Sequence, residues 1–240
     1  MNASHPPIHI PGRVVVFDYG EVLSMSQSEH DKAGILGTAG ATADDFWPAY
    51  WKHRDDLDQG SVTIADYWAR VGAELGLEFG PAQVQRLWAI DFRSWISVEP
   101  GSIDILTELH AGGTRIALLS NAGFDYGDAF RRAPFARYFE RVFVSAELGM
   151  VKPDPEIYAH VARELGIQPA EMVFIDNKKI NVDGAESLGV AGHVFTGVGP
   201  LRAFLTSLAE DATPPRADGL SRQAAPLRGR AGRRRAAGTS

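Results

Sequence analysis

The chain contains no cysteine. That excludes disulfides, thiolate nucleophiles, and zinc or iron–sulfur centres held by cysteine. No apolar run approaches the ~18 residues a membrane-spanning helix needs, so no membrane partner is expected. Residues 1–13 hold three prolines and lack the apolar stretch of a secretion signal, and a cytoplasmic address is the expectation. Internal repeats are also absent. The body of the chain is short of positive charge: from residue 213 onward seven arginines face one aspartate, leaving the other 212 residues with 17 basic and 29 acidic groups. An acidic body argues against a nucleic-acid partner. The Arg-rich stretch 213–240 has few large apolar residues and is expected to be disordered, with nucleic-acid contact a minor reading. Residues 1–12 are expected to be disordered too.

What is present suits a folded core. With 240 residues, 45% hydrophobic and 22% charged, the chain is long enough for one large domain or a core with an inserted module. Val14-Val15-Val16-Phe17 is a short apolar run of the kind buried on both faces of a parallel sheet. Residues 24–98 carry helical spacing and no convincing strand, with helices expected at 43–54, 63–75 and 81–95. From 99 onward helix and strand alternate. Strands are expected at 115–119, 141–145, 172–175 and 192–195, and helices at 102–111, 125–133, 155–166, 181–189 and 201–208. This alternation predicts an α/β fold: a Rossmann-like parallel sheet core with helices on both faces, built from 13–23 and 99–210, and an α-helical cap inserted at 24–98.

In open α/β sheets ligands bind beyond the carboxyl ends of the strands. Three of the predicted strands end there in polar groups: Asp18 after the first, Ser120-Asn121 after the second, Asp176-Asn177 after the fourth. Lys152 lies in a tight Gly- and Pro-bounded loop between them. Each has a local explanation taken singly: a turn for Asp18, a helix cap for Ser120, a surface lysine for Lys152, an Asx turn for Asp176. Together they are a nucleophilic carboxylate, a hydroxyl donor, a fixed cation and a second carboxylate for a metal, the parts of phosphoryl transfer through an aspartyl-phosphate.

The order and spacing of four segments resemble the haloacid dehalogenase-like (HAD) hydrolase superfamily, in the subfamily with a helical cap between its first and second motifs. The segments are Phe17-Asp18-Tyr19-Gly20-Glu21-Val22-Leu23, Leu118-Leu119-Ser120-Asn121-Ala122, Val151-Lys152-Pro153-Asp154-Pro155, and Phe174-Ile175-Asp176-Asn177 with Asn181-Val182-Asp183-Gly184-Ala185. The resemblance spans about 13–208. It implies that Asp18 attacks the substrate, that Ser120 and neighbouring N–H groups hold phosphoryl oxygens, with Asn121 beside them, and that Lys152 neutralises charge. It also implies that Mg²⁺ is held by Asp18, the carbonyl of Gly20 and Asp176, an oxygen set suited to a hard dication.

The sequence departs from the family pattern at two places. Typical phosphatases of the family carry a second Asp two residues after the nucleophile, as proton donor and later base; here that residue is Gly20. Glu21 is adjacent, but alternation along an extended segment aims it elsewhere. Asn177 stands where many relatives have a second Asp, which lowers the charge available to the metal. Gly at the acid/base position resembles sugar-phosphate phosphatases, and an anomeric phosphate needs less leaving-group protonation. The expected substrate is therefore a small phosphorylated metabolite, with a sugar phosphate favoured, acted on by a monomer or homodimer. The cap is rich in aromatics. Trp51 and Arg54 are its candidate substrate contacts, with His53, Asp55 and Asp58 near them. Two rivals remain: a metal-free 2-haloacid dehalogenase, which Asp176 disfavours, and a catalytically weak regulatory protein without the proton shuttle.

Overall fold

The computed structural model describes residues 5–211. The expectation of disorder for 213–240 lies outside the described residues. The first strand, β1 (Val14–Phe17), is followed by five helices: α1 (Glu29–Ala39), α2 (Ala43–Lys52), α3 (Arg54–Asp58), α4 (Ile64–Glu74) and α5 (Pro81–Ser94). The chain then runs through α6 (Pro100–Ala111), β2 (Arg115–Ser120), α7 (Phe124–Arg132), β3 (Arg141–Val144), α8 (Ser145–Leu148) and α9 (Pro155–Leu165). It ends in β4 (Met172–Asp176), α10 (Lys179–Glu186), β5 (Ala191–Val194) and α11 (Val198–Asp211).

All strand pairings are parallel, in the order β3-β2-β1-β4-β5. β1 is central, and its residues are buried on both faces. Val15, Phe17, Leu118 and Ile175 pack on one side with Ile105, Leu109, Phe130 and Leu205 from α6, α7 and α11. Val14, Val16, Leu119 and Phe174 pack on the other with Ile157, Val161 and Ala185 from α9 and α10. This alternation of faces is what a sheet covered by helices on both sides requires. Turn and cap chemistry agree with the ends: Thr63 and Asp66 form a reciprocal capping box at the start of α4, and α9 stops at Gly166 in the left-handed conformation.

The expected core helices and strands are all found, with ends shifted by a few residues. Besides the short α8, which was not expected, three features differ from expectation. α1 was not expected, because Gly34 and Gly37 interrupt it and it buries little beyond Ile35 and Ala39, leaving a weak apolar stripe. The helix expected over 43–54 is broken at His53 into α2 and α3. Residues 5–12 are packed against the core rather than disordered: Ile8 and Ile10, on either side of His9, are both buried. The Ile8 N–H donates to the Glu108 carbonyl at 3.0 Å and the Ile10 N–H to Thr114 Oγ1 at 2.9 Å. Pairing with a distant helix end supplies these partners, and three nearby prolines hide that possibility from a sequence reading.

The helical insert α1–α5 has its own core, centred on Phe46, Tyr50, Tyr67 and Trp68. Its two connecting segments pair with each other through an antiparallel bridge between Ser24 and Val98. The Met25 N–H also donates to Ser97 O and the Glu99 N–H to Leu23 O, each at 2.8 Å. At its far side α3 docks on the sheet's end. Ser145 Oγ donates to the Asp58 carbonyl, and Gln59 Nε2 to the Gly149 carbonyl at 3.2 Å. Gly60 sits in this contact at φ +78°, where an added Cβ would lie 2.8 Å from both the Ala146 carbonyl and the Phe124 ring. Gly60→Ala is therefore expected to cost about 1–3 kcal/mol through positive φ and overlap with backbone. A urea midpoint equal to that of the unsubstituted protein would show that the contact yields freely.

Candidate active site

Asp18 leaves β1 with its N–H donating to the Ile175 carbonyl at 2.8 Å, so the ladder with β4 continues one residue past the strand. Phe17 is registered with both Leu118 and Ile175. Equal register brings the residues that follow, Asp18 and Asp176, to the same edge, with Ser120 on the opposite neighbour. Lys152, in the loop between α8 and α9, reaches under them. Its Nζ donates to Asp18 Oδ1 at 2.7 Å, to Asp176 Oδ2 at 2.7 Å and to the Leu119 carbonyl at 3.2 Å. All three ammonium protons are thus engaged in a group whose side chain is 1% exposed.

The electrostatics follow from this burial. Asp18 is pushed up to about 6, first by burial and then by the neighbouring Asp176, against the pull of Lys152 and the Tyr19 N–H. Burial alone would lower Lys152; the two carboxylates outweigh it and hold the ammonium above its ordinary value. Asp176 is fully buried, with Oδ1 accepting from the Lys178 N–H at 2.7 Å and Oδ2 also accepting from Asn181 Nδ2 at 3.0 Å.

The other expected residues divide into two kinds. Ser120 is buried at the cavity wall, and its hydroxyl makes no hydrogen bond among the described residues, so it is free for a ligand. Asn121, expected to hold substrate, is committed elsewhere. Its Nδ2 donates to the Lys152 carbonyl and its Oδ1 accepts from the Lys152 N–H, each at 2.9 Å. This two-way pairing with one backbone unit fixes the loop that carries the lysine, so Asn121 positions Lys152. Trp51 is 48% exposed and lines the cavity, with Lys178 Nζ 5.9 Å from its ring centre. Arg54 lines it too, but its Nε bonds Asp58 Oδ1 at 3.0 Å and its Nη1 bonds Tyr50 Oη at 2.7 Å and Asp91 Oδ2 at 2.9 Å. Only Nη2 is left without a protein partner among the described residues. His53 turns away to Glu74.

The cavity holding Asp18, Ser120 and Lys152 has a volume of about 300 Å³ and is roofed by the insert. With a raised carboxylate, a buried cation and a free hydroxyl meeting at the carboxyl end of a parallel sheet, the fold and the site point the same way. A family model described as haloacid dehalogenase-like hydrolase matches residues 13–189. The chain belongs to that family. It is accordingly a hydrolase.

Relatives in the family differ in chemistry. A flavin mononucleotide hydrolase of Arabidopsis thaliana is 30% identical over 124 residues, 52% of this chain, which spans about half (51%) of that relative. A sesquiterpene phosphatase of Aspergillus oryzae is 26% identical over 58% of this chain and 69% of its own. An (S)-2-haloacid dehalogenase of a Pseudomonas species is 25% identical over 75% of this chain and 82% of its own. Among solved structures, a HAD family enzyme of Bacteroides thetaiotaomicron in complex with magnesium and inorganic phosphate superposes with a TM-score of 0.59 at 22% identity, covering 75% of this chain and 92% of its own. That likeness concerns the fold.

A hard dication in this site would depend on oxygen donors. No group of three or more His, Cys, Asp and Glu fit to hold a metal occurs among the described residues. The oxygens present are nevertheless of the right kind. Asp18 keeps Oδ2 unengaged and the Gly20 carbonyl accepts no hydrogen bond among the described residues. Asn177 donates through Nδ2 to Glu21 Oε2 at 2.9 Å, while its Oδ1 is buried with no partner. A buried acceptor without a donor is costly unless something fills the role, and a hydrated cation does so. The residues fit Mg²⁺ in chemistry, with waters completing the shell.

Sequence reasoning missed Trp95, Tyr126, Phe130, Lys178 and Asn181, all in the cavity wall. Tyr126 and Phe130, four apart on α7, signalled only a core-facing stripe. Asn181 was visible as part of the fourth motif without a role; its amide now proves to orient Asp176.

Proposed function

We propose that this hydrolase is a Mg²⁺-dependent phosphatase of small phosphomonoesters, sugar phosphates foremost, working through an aspartyl-phosphate on Asp18. The observation that carries this reading is the second carboxylate. Asp176 stands beside the nucleophile and raises its pKa, which is a handicap toward a metal-free, anionic haloacid and an asset beside a dication. The free acceptors of Gly20 and Asn177 support the same conclusion.

Asp18 Oδ2 forms a bond to phosphorus while the ester oxygen departs. The Ser120 hydroxyl donates to a phosphoryl oxygen, and Lys152 offsets the negative charge gathered around the nucleophile. Asp18, the Gly20 carbonyl and Asp176 would hold the metal, which supplies charge neutralisation at the phosphoryl group when bound. Water then attacks the aspartyl-phosphate, phosphate leaves, and Asp18 is restored. The small cavity, with the aromatic faces of Trp51 and Trp95 and the polar groups of Arg54 and Asp58 on the insert side, suits a sugar or similarly small polar leaving group. In this reading the insert is the cap of the family, and the enzyme acts on a cytoplasmic metabolite. No helix among the described residues is long and apolar enough to cross a membrane.

A phosphate-release screen over sugar and nucleotide monophosphates, with Asp18→Asn as the blank, tests the proposal. Release should fall to background in the variant and on EDTA treatment, and return with Mg²⁺. Chloride release from a 2-chloro acid that survives EDTA would instead establish the dehalogenase reading, which the Pseudomonas relative favours.

A further inference from the structure

We propose that Asp58, a carboxylate on the helical insert, donates the leaving-group proton and later takes one from water, the work that Gly20 cannot do. The inference rests on the phosphatase reading above. Glu21, adjacent to the vacant position, is exposed, and both its oxygens are engaged, Oε1 by Ser26 at 2.7 Å and Oε2 by Asn177 at 2.9 Å. Lys152 spends its protons on Asp18, Asp176 and Leu119. Tyr19 donates to the Trp95 carbonyl and is pushed up to about 12 by burial. Tyr126, also buried, is held well above the ordinary tyrosine value. Asp55 faces the cavity but is exposed.

Asp58 differs from all of these. Arg54, Asp55 and Asp58 follow helical spacing on α3 and, with Trp51 from the end of α2, line the same cavity as Asp18. The Asp58 side chain is 10% exposed, with Oδ1 anchored by Arg54 Nε and Oδ2 without a partner among the described residues. Its backbone carbonyl is pinned to Ser145, whose hydroxyl also accepts from the Ala122 N–H at 2.9 Å, two residues beyond Ser120. The carboxylate is therefore held in register with the loop that would bind the phosphoryl group. Its environment also suits proton exchange. Burial raises it to about 6, Arg54 on its own helix opposes, Asp91 of α5 adds to the rise, and Lys178 from before α10 opposes. Tyr50, Tyr67 and Tyr126 are the other titratable groups packed around this network. A group that titrates near the working pH serves as both acid and base.

The steps balance. As the Asp18–phosphorus bond forms and the phosphorus–ester oxygen bond breaks, the Asp58 proton passes to that oxygen, releasing an alcohol. As water's oxygen bonds phosphorus and the Asp18–phosphorus bond breaks, water's proton returns to Asp58.

The test compares Asp58→Asn with the unsubstituted enzyme, in Mg²⁺, on an alkyl phosphate and on p-nitrophenyl phosphate, whose phenolate leaves without a proton. We expect kcat to drop about 10²-fold on the alkyl ester and less than tenfold on the aryl ester. The decline above about pH 6 expected of the unsubstituted enzyme on the alkyl ester should vanish, and Gly20→Asp should restore turnover in the Asp58→Asn background. Equal losses on both esters, an unchanged pH profile, or no rescue would overturn the proposal and leave Asp58 an anchor for Arg54. Should the variant fail to fold, the unsubstituted enzyme decides: an alkyl-to-aryl rate ratio constant across pH 6 also overturns it. Absence of Asp18-dependent phosphate release from either ester in the unsubstituted enzyme would overturn the phosphatase reading itself, a different outcome from the first three.

Discussion

Lys152→Met is expected to abolish turnover and to destabilise the fold by about 3–5 kcal/mol, the usual cost of removing one partner from a buried ion pair. Methionine fills the lysine's space, so the loss would come from charge. The ammonium lies 2.7 Å from each of two carboxylates, and without it they are like charges sharing a dry site. One of them will then keep a proton. Asp18 is already raised to about 6, with Lys152 among the groups that oppose the rise; deleting the lysine raises it further. The sign of the pH dependence follows. A carboxyl whose folded pKa exceeds its unfolded value of about 3.9 binds more protons folded than unfolded, so stability falls as pH rises across that window. The deficit of Lys152→Met should accordingly be larger at pH 8 than at pH 5 in urea unfolding. A midpoint unchanged at both pH values would mean that the three charges are not coupled as their distances require.

The residues behind this prediction were legible in the sequence because the sheet makes them so. Apolar runs that end in Asp18, Ser120 and Asp176 can place those groups only at the carboxyl ends of parallel strands, and central strands adjoin one another. What the sequence did not convey is which partner each polar group would choose. Arg54 read as a substrate contact because its neighbours are aromatic; its guanidinium is largely taken by Asp58, Tyr50 and Asp91, the last 37 residues away on α5. Asn121 read as a substrate contact because it follows Ser120, yet its amide closes on the backbone of Lys152, 31 residues on. Both outcomes depend on loop and helix packing that no local pattern encodes. The same holds for Ile8 and Ile10, whose burial needs the end of α6 to be in place. Strand-end chemistry is local and readable, whereas the second layer of contacts is tertiary and is not.

Gly20→Asp is expected to raise kcat on alkyl phosphates by about 10²-fold, the lower end of what general acid–base catalysis contributes. The lower end applies because Asp58 already carries part of the proton transfer. There is room for the new side chain: a Cβ built on Gly20 meets nothing within 4 Å, and the backbone there is not in the left-handed region. The gain should depend on the leaving group. An anomeric sugar oxygen is a better leaving group than a plain alkoxide and needs less protonation, so its ester should gain less. In the Asp58→Asn background the alkyl gain should grow, since the introduced carboxylate then acts alone. Steady-state kcat on one alkyl and one anomeric phosphate, in both backgrounds, measures all of this. Equal gains on the two classes would remove the reason for linking Gly20 to anomeric substrates, and a gain that is the same with and without Asp58 would show that the two carboxylates do not share one task.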